Sequence, residues 1–165
     1  MLGNLFSKRK KLDEVWLAPL TGELVNIEEV PDPTFSEKMM GEGLAIKPTE
    51  GKLFSPVDGE IIQVFPTKHA IGIRSVTGAE ILIHIGLETV SLDGEPFELH
   101  VSDADKVQAG QLLVSFDLEK IRNVAANTIT PIVLTNGDSI ENLVKKENSD
   151  VQAGKTEIAN YQVNN

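Results

Sequence analysis

The side chains in this sequence best suited to chemistry are two histidines set in apolar, strand-like segments: His69 in His-Ala-Ile-Gly-Ile-Arg-Ser75 and His84 in Glu80-Ile-Leu-Ile-His-Ile-Gly86. Cysteine is absent, so thiolate nucleophiles, disulfides and Cys-ligated zinc are excluded. Two imidazoles then offer zinc binding, acid–base catalysis or carriage of a phosphoryl group on nitrogen. Zinc hydrolysis needs a third protein ligand and usually a general base, and no His-x-x-x-His or His-x-His spacing occurs. Phosphoryl carriage needs one nucleophilic ring nitrogen and one donor to steady the phosphoryl oxygens, which the second imidazole supplies when protonated. The pair meets this demand with less added, although it could also hold zinc adventitiously or together with a partner.

Those two rings must be brought together by the elements that carry them. Val76-Thr-Gly-Ala79, read as a hairpin loop centred on Thr77 and Gly78, pairs Ser75 with Glu80, Ile73 with Leu82, Ile71 with His84 and His69 with Gly86. His69, Ile71 and their partners then share one sheet face, with the two histidines diagonal neighbours whose β-carbons lie roughly 7 Å apart. A loop one residue longer or shorter places them on opposite faces. The segment around His84 is apolar on both sides and reads as a central strand. Gly86, opposite His69, leaves room for a ligand or a second backbone.

Elsewhere Gly and Pro punctuate Val-, Ile- and Leu-rich segments about every ten residues, the pattern of many short strands in a sandwich or barrel. Helical character is confined to Leu118, Ile121 and Val124 after Asp117, and to Ile140, Leu143 and Val144 beside the capping pair Asp138 and Glu141. Two echoes imply related halves: Ala18-Pro-Leu-Thr-Gly-Glu-Leu-Val25 resembles Ser55-Pro-Val-Asp-Gly-Glu-Ile-Ile62, and Val107-Gln-Ala-Gly110 recurs as Val151-Gln-Ala-Gly154. Gly154-Lys155-Thr156 mimics the end of a phosphate-binding loop, but the leading Gly is Ser149 and too few residues follow for the helix.

With 165 residues and 41% of them apolar, the chain suits one compact domain. Its formal charge of −10 disfavours nucleic acid and favours a partner with a basic face. The longest apolar stretch, Ile81 to Leu87, falls far short of the ~20 residues of a spanning helix. No export signal is expected either, because Asp13 and Glu14 follow the basic cluster Lys8 to Lys11, and a cytoplasmic location is expected. Residues 1–14 are expected to form a flexible or amphipathic tail, of which Met1 to Lys11 can make a peripheral contact with anionic lipid, with the functional domain over 15–165.

Four ordered motifs carry a resemblance: Val30-Pro-Asp-Pro-Thr-Phe-Ser-Glu-Lys-Met-Met-Gly-Glu-Gly-Leu-Ala-Ile-Lys-Pro48, Ser55-Pro-Val-Asp-Gly59, Thr67-Lys-His-Ala70 and His84-Ile-Gly-Leu-Glu-Thr-Val90. From about Leu17 to Ile158 the chain resembles the glucose-type IIA proteins of the bacterial phosphoenolpyruvate-dependent sugar phosphotransferase system. The resemblance implies an all-β, antiparallel sandwich of the duplicated hybrid motif type, with a shallow apolar depression around the histidines and no cofactor. It implies a phosphotransferase component in which Nε2 of His84 accepts a phosphoryl group from the carrier protein HPr and passes it to a cysteine of a permease's IIB domain. His69 would hold the phosphoryl oxygens and Thr67 would orient the His69 ring. Phe35, Met40, Phe65 and Val90 would form the apolar rim that partners cover, and Ile71, on the histidine face in the pairing above, joins these partner-binding residues. Asp32 and Glu88 would meet an arginine of HPr. The family usually has Asp four residues after the active histidine, and Glu88 is this chain's departure from it.

Other classes fit less well. A biotinyl or lipoyl carrier needs a lysine at a hairpin tip, and neither Lys106 nor Lys120 has that context. A zinc endopeptidase of related architecture lacks its third ligand. A mainly regulatory IIA-like protein, binding metabolic enzymes or transporters, is the nearest alternative, and its targets and the transported sugar are not written in this chain.

Overall fold

The short apolar segments become strands because their side chains alternate between two buried faces, and the intervening Gly and Pro residues turn the chain. A computed structural model of the protein describes residues 11–125 and 127–164. In chain order the strands are β1 (Lys11–Leu17), β2 (Gly22–Asn26), β3 (Glu42–Pro48), β4 (Lys52–Phe54), β5 (Gly59–Val64), β6 (Ala70–Ser75), β7 (Glu80–His84), β8 (Phe97–Leu99), β9 (Lys106–Val107), β10 (Leu112–Phe116), β11 (Thr130–Leu134), β12 (Ile140–Lys145), β13 (Ser149–Val151) and β14 (Glu157–Asn164). They form an eight-stranded sheet in the order β13-β2-β3-β11-β7-β6-β5-β9 and two three-stranded sheets, β1-β14-β12 and β4-β10-β8. Every pairing is antiparallel.

The large sheet is buried on both faces, which is why its central strands read as continuous apolar runs. Its inner face, with Ile46, Ile71, Ile81 and Ile132, packs against Trp16 and Tyr161 of one small sheet and Leu113 and Val114, around β10, of the other. The opposite face carries a separate apolar cluster that includes Val25, Phe35, Ala45, Leu82 and Val133. Alternation within a single strand separates the two sets, as with Ile81 and Ile83 inward and Leu82 outward on β7.

The first helical expectation holds: Leu118–Val124 is a helix capped by Asp117, whose carboxylate accepts from the Lys120 amide. The second does not. Ile140–Lys145 is a strand preceded by a 3-10 turn over Gly137–Ser139, because pairing with β14 decides its state over local capping signals. The Gly154-Lys155-Thr156 segment likewise leads into a strand, β14. Residues 11–14, expected in the tail, belong to β1 and pair with β14, while residues 1–10 lie outside the described residues. Among the described residues, no helix is long and apolar enough to cross a membrane.

The β6–β7 hairpin differs from the expected register by one residue. Arg74 pairs with Glu80, Gly72 with Leu82, Ile71 with Ile83 and Ala70 with His84. The turn is tighter than expected because the Ser75 amide donates to the Ala79 carbonyl at 2.8 Å and the Ser75 hydroxyl accepts from the Ala79 amide at 2.9 Å. Gly78 sits in the turn at φ 106°, which its missing side chain allows. Ile71 therefore points to the inner face, where it is 0% exposed, and cannot line a partner-binding rim.

Candidate functional site

His84 is the last residue of β7, between β6 and β11, so the expected central strand is present. The chain then leaves the sheet in a turn pinned from several sides. The Ile85 amide donates to the His69 carbonyl at 2.7 Å, and the Leu87 amide donates to the Asn127 carbonyl at 2.8 Å. The buried Thr89 hydroxyl donates to the Ile85 carbonyl at 2.6 Å, and the Gly86 amide donates to the Thr130 hydroxyl at 3.3 Å. Gly86 adopts φ 72° within this turn, and a Cβ there would lie 2.7 Å from Thr89 Cγ2 and 3.0 Å from the Asn127 carbonyl oxygen. Gly86 thus leaves no gap for a ligand opposite His69, and the space is taken by the other expected occupant, a second backbone at Asn127.

The turn aims the Gly86 carbonyl at His84 Nδ1, 2.7 Å away. A carbonyl oxygen only accepts, so Nδ1 carries the proton and Nε2 keeps its lone pair. That contact selects the tautomer of His84.

One register step should have sent His69 to the opposite face from His84, since Ala70 is the residue paired with it. The rings nevertheless meet, with centroids 4.8 Å apart and planes inclined by 78°. His69 lies just outside β6, after a turn in which the Lys68 amide donates to the Phe65 carbonyl at 2.7 Å and Lys68 adopts φ 64°. Outside the ladder, strand alternation no longer fixes its direction. Thr67, brought back by this turn, places its hydroxyl 2.6 Å from His69 Nδ1. When that hydroxyl donates, His69 keeps its proton on Nε2.

Apolar side chains surround the rings. Phe35 lies 5.3 Å from His84 and Phe65 lies 5.8 Å from His69, centroid to centroid. Phe35 is itself buried at 5% exposure, while Met40 at 38% and Val90 at 54% stand at the surface. Asp32 caps the short helix Pro33–Ser36, accepting from the Thr34 amide at 3.0 Å. It also bears on the electrostatics of His84. Burial pushes the His84 ring below the ordinary histidine range, and the Gly86 carbonyl and the Asp32 charge partly oppose this. His69 is pushed down to about 4, first by burial and then by the neighbouring His84. Both rings are therefore neutral at neutral pH, and the protonated donor expected at His69 is instead a neutral imidazole. Glu88 is exposed, with a left-handed backbone at φ 60°.

Thr89 and Thr130, both 0% exposed, were not assigned roles from sequence although they hold the Gly86 turn. The available signal was a hydroxyl inside an apolar run, which demands a buried acceptor or donor. The third histidine, His100, bonds the Ser115 hydroxyl at 2.8 Å and takes no part in the pair. Among the described residues no group of three or more His, Cys, Asp or Glu side chains converges as a metal site. A groove of about 580 Å³ lies elsewhere, lined by Thr21, Lys47, Arg122 and Asp150 among others, and it contains neither histidine. Among the described residues, two imidazole rings converge only at the apolar surface around His69 and His84.

The chain is also similar in sequence and in fold to known proteins. The profile of the family described as "phosphoenolpyruvate-dependent sugar phosphotransferase system, EIIA 1" matches residues 14–140. The chain is 55% identical over 159 residues to a "PTS system glucose-specific EIIA component" of Bacillus anthracis, covering 96% of each chain. A protein of the same description from Staphylococcus epidermidis is 47% identical over 165 residues, covering 99% of each. Among solved structures, glucose permease IIA from Mycoplasma capricolum superposes with a TM-score of 0.83 at 38% identity, covering 90% of this chain and 96% of that one.

Proposed function

This chain belongs to the EIIA 1 family of the phosphoenolpyruvate-dependent sugar phosphotransferase system, and we propose that it carries a phosphoryl group on Nε2 of His84, received from the phosphohistidine of HPr and passed to a cysteine on the IIB domain of a glucose-type permease. The observation that carries this reading is the 2.7 Å contact between His84 Nδ1 and the Gly86 carbonyl, beside a second imidazole at 4.8 Å. The glucose-type permease follows from the names of the relatives, and a cytoplasmic site of action is part of the proposal.

The transfer balances without a cofactor. The Nε2 lone pair of His84 bonds to phosphorus as the donor's N–P bond breaks, and that electron pair returns to the donor ring nitrogen. His84 keeps its Nδ1 proton, so its ring takes on the positive charge that the donor ring gives up. The Gly86 carbonyl and the Asp32 carboxylate favour this charge, as their upward pull on His84 indicates. The His69 Nε2–H, held by the Thr67 hydroxyl on its other nitrogen, steadies the phosphoryl oxygens. In the onward step the IIB thiolate bonds to phosphorus, and the N–P bond electrons return to His84 Nε2.

Met40, Phe65 and Val90 would be covered by either partner, with the buried Phe35 supporting His84 from within rather than lining the rim, and Asp32 and Glu88 would meet the partner's basic groups. The dry contact raises the worth of each hydrogen bond at the phosphoryl group. Incubation with phosphoenolpyruvate, the general phosphotransfer enzyme and HPr should place an acid-labile label on His84. Lack of label on the folded protein overturns the proposal.

A further inference from the structure

Residues 27–41 leave the large sheet after β2 and return to it at β3, and on the way they carry Asp32 and Phe35 toward His84 and leave Met40 at the surface. Nothing in the pairing of β2 with β3 fixes where this excursion lies. At its neck, however, both ends meet one ammonium. Lys145, the last residue of β12 in a different sheet, donates to Asn26 Oδ1 at 2.7 Å, Glu42 Oε1 at 2.8 Å and the Gly43 carbonyl at 3.3 Å. Those three contacts use all three of its N–H donors.

The clamp extends into the excursion from either side. Asn26 caps the 3-10 turn Ile27–Glu29 in a reciprocal capping box. The second Glu42 oxygen meets Lys38 Nζ at 2.9 Å, and Lys38 follows directly on the turn that ends the Phe35 helix. Burial pushes the Glu42 carboxyl up, but the hydrogen bonds from Lys145 and Lys38 outweigh it and hold the group below its ordinary value. With its side chain 21% exposed, the Lys145 ammonium bridges partly shielded acceptors rather than a loose surface partner.

We propose that Lys145 is a positioning residue for phosphoryl transfer, closing the neck of the 27–41 excursion so that Phe35 stays against His84 and Asp32 and Met40 stay on the partner-binding face. The inference rests on the functional reading above. Lys145 touches neither reacting ring, so its effect runs through Glu42 and Asn26.

The test is Lys145→Met in the full chain, which keeps the apolar stem and removes the three donors, with Lys146→Met as the exposed neighbour control. Hydrogen exchange of the amides of residues 27–41 should quicken while those of β6 and β7 stay protected. The KM for phosphorylated HPr should rise about tenfold with kcat changing less, as loss of a preformed binding face requires. Should Lys145→Met fail to fold, Glu42→Gln, which keeps the side-chain shape, is expected to give the same split. Unchanged exchange over 27–41 in the folded variant, or an unchanged KM, overturns the inference. If the wild-type chain takes no label from HPr, the functional reading fails separately, and the exchange experiment still decides whether Lys145 holds the excursion.

Discussion

In one half of the eight-stranded sheet Gly59 pairs with Val107, and the Gly110 amide donates to the Ser55 carbonyl at 2.8 Å; in the other, Gly22 pairs with Val151, and the Gly154 amide donates to the Ala18 carbonyl at 2.9 Å. The echoed segments of the sequence thus occupy matching places, as two related halves require. The halves diverge in the connections that follow. Between β5 and β6 a tight turn delivers Thr67 and His69, whereas between β2 and β3 the long excursion delivers Asp32 and Phe35. Gly59 faces Ser75 and Gly22 faces Pro48, so position 75 corresponds to 48 and position 69 to 42. His69 and Glu42 are therefore equivalent: one became a ring beside His84, the other the anchor of a clamp. Strands are held to a common pattern by pairing on both sides, while connections are free to differ, and the site is assembled from the connections.

The sharpest way to test that division is to remove the ring that accepts. His84→Gln should take up no label from phosphorylated HPr and should melt close to the wild type, since the loss is of a nucleophile rather than of packing. Label appearing on His69 instead would reverse the two roles. His69→Gln should still accept label but pass it on at least 100-fold more slowly, a loss of about 3 kcal/mol if the ring acts as an oxyanion-type donor. Full onward transfer in that variant would remove His69 from the mechanism.

The equivalence of the two halves is open to a stability test at its matching glycines. A Cβ at Gly22 would lie 2.0 Å from the Lys47 carbonyl oxygen, and one at Gly59 would lie 2.3 Å from that of Arg74. Gly22→Ala and Gly59→Ala should each lower the unfolding free energy by roughly 3 kcal/mol, read from denaturant midpoints at constant m. A strong effect at one and none at the other would break the correspondence.

Acid should separate His69 from Glu42. His69 titrates at about 4 in the folded chain against 6.5 for the ordinary group, so the unfolded chain binds the extra proton first as pH falls. Stability should decline through the window from about 6.5 to about 4, by about 2 kcal/mol for this residue once incomplete burial is allowed for. Glu42, whose value is lowered, contributes stability that is present above its ordinary 4.5 and is lost only as pH falls through its folded value. His69→Gln should flatten the upper window of the stability profile, and Glu42→Gln the lower one. A His69→Gln profile parallel to the wild type would contradict the depressed His69. The smallest effect is expected for Asp32→Asn, which preserves the helix cap but removes a charge, slowing encounter with HPr severalfold at low salt and less as salt rises.

Much of this was legible before any coordinates. The punctuation of apolar runs pointed to many short strands in a sandwich or barrel, the echoed Gly turns pointed to two related halves, and four motifs carried the resemblance to glucose-type IIA proteins that implied an antiparallel sandwich with His69 and His84 at its site. Those signals are local, arising from backbone preferences and from burial that repeats every second residue. What the sequence could not determine was set at longer range. Whether Ser75 faced Ala79 or Glu80 depended on how a few hydrogen bonds closed one turn, and that single step moved Ile71 into the core. Strand logic then placed His69 on the wrong side, and only the turn at Lys68, outside the ladder, returned it to His84. The tautomer of His84, the neutrality of His69 and the clamp at Lys145 were likewise decided by tertiary structure: the first by a turn between near neighbours that more distant contacts pin, the second by burial, and the third by side chains far apart in the chain.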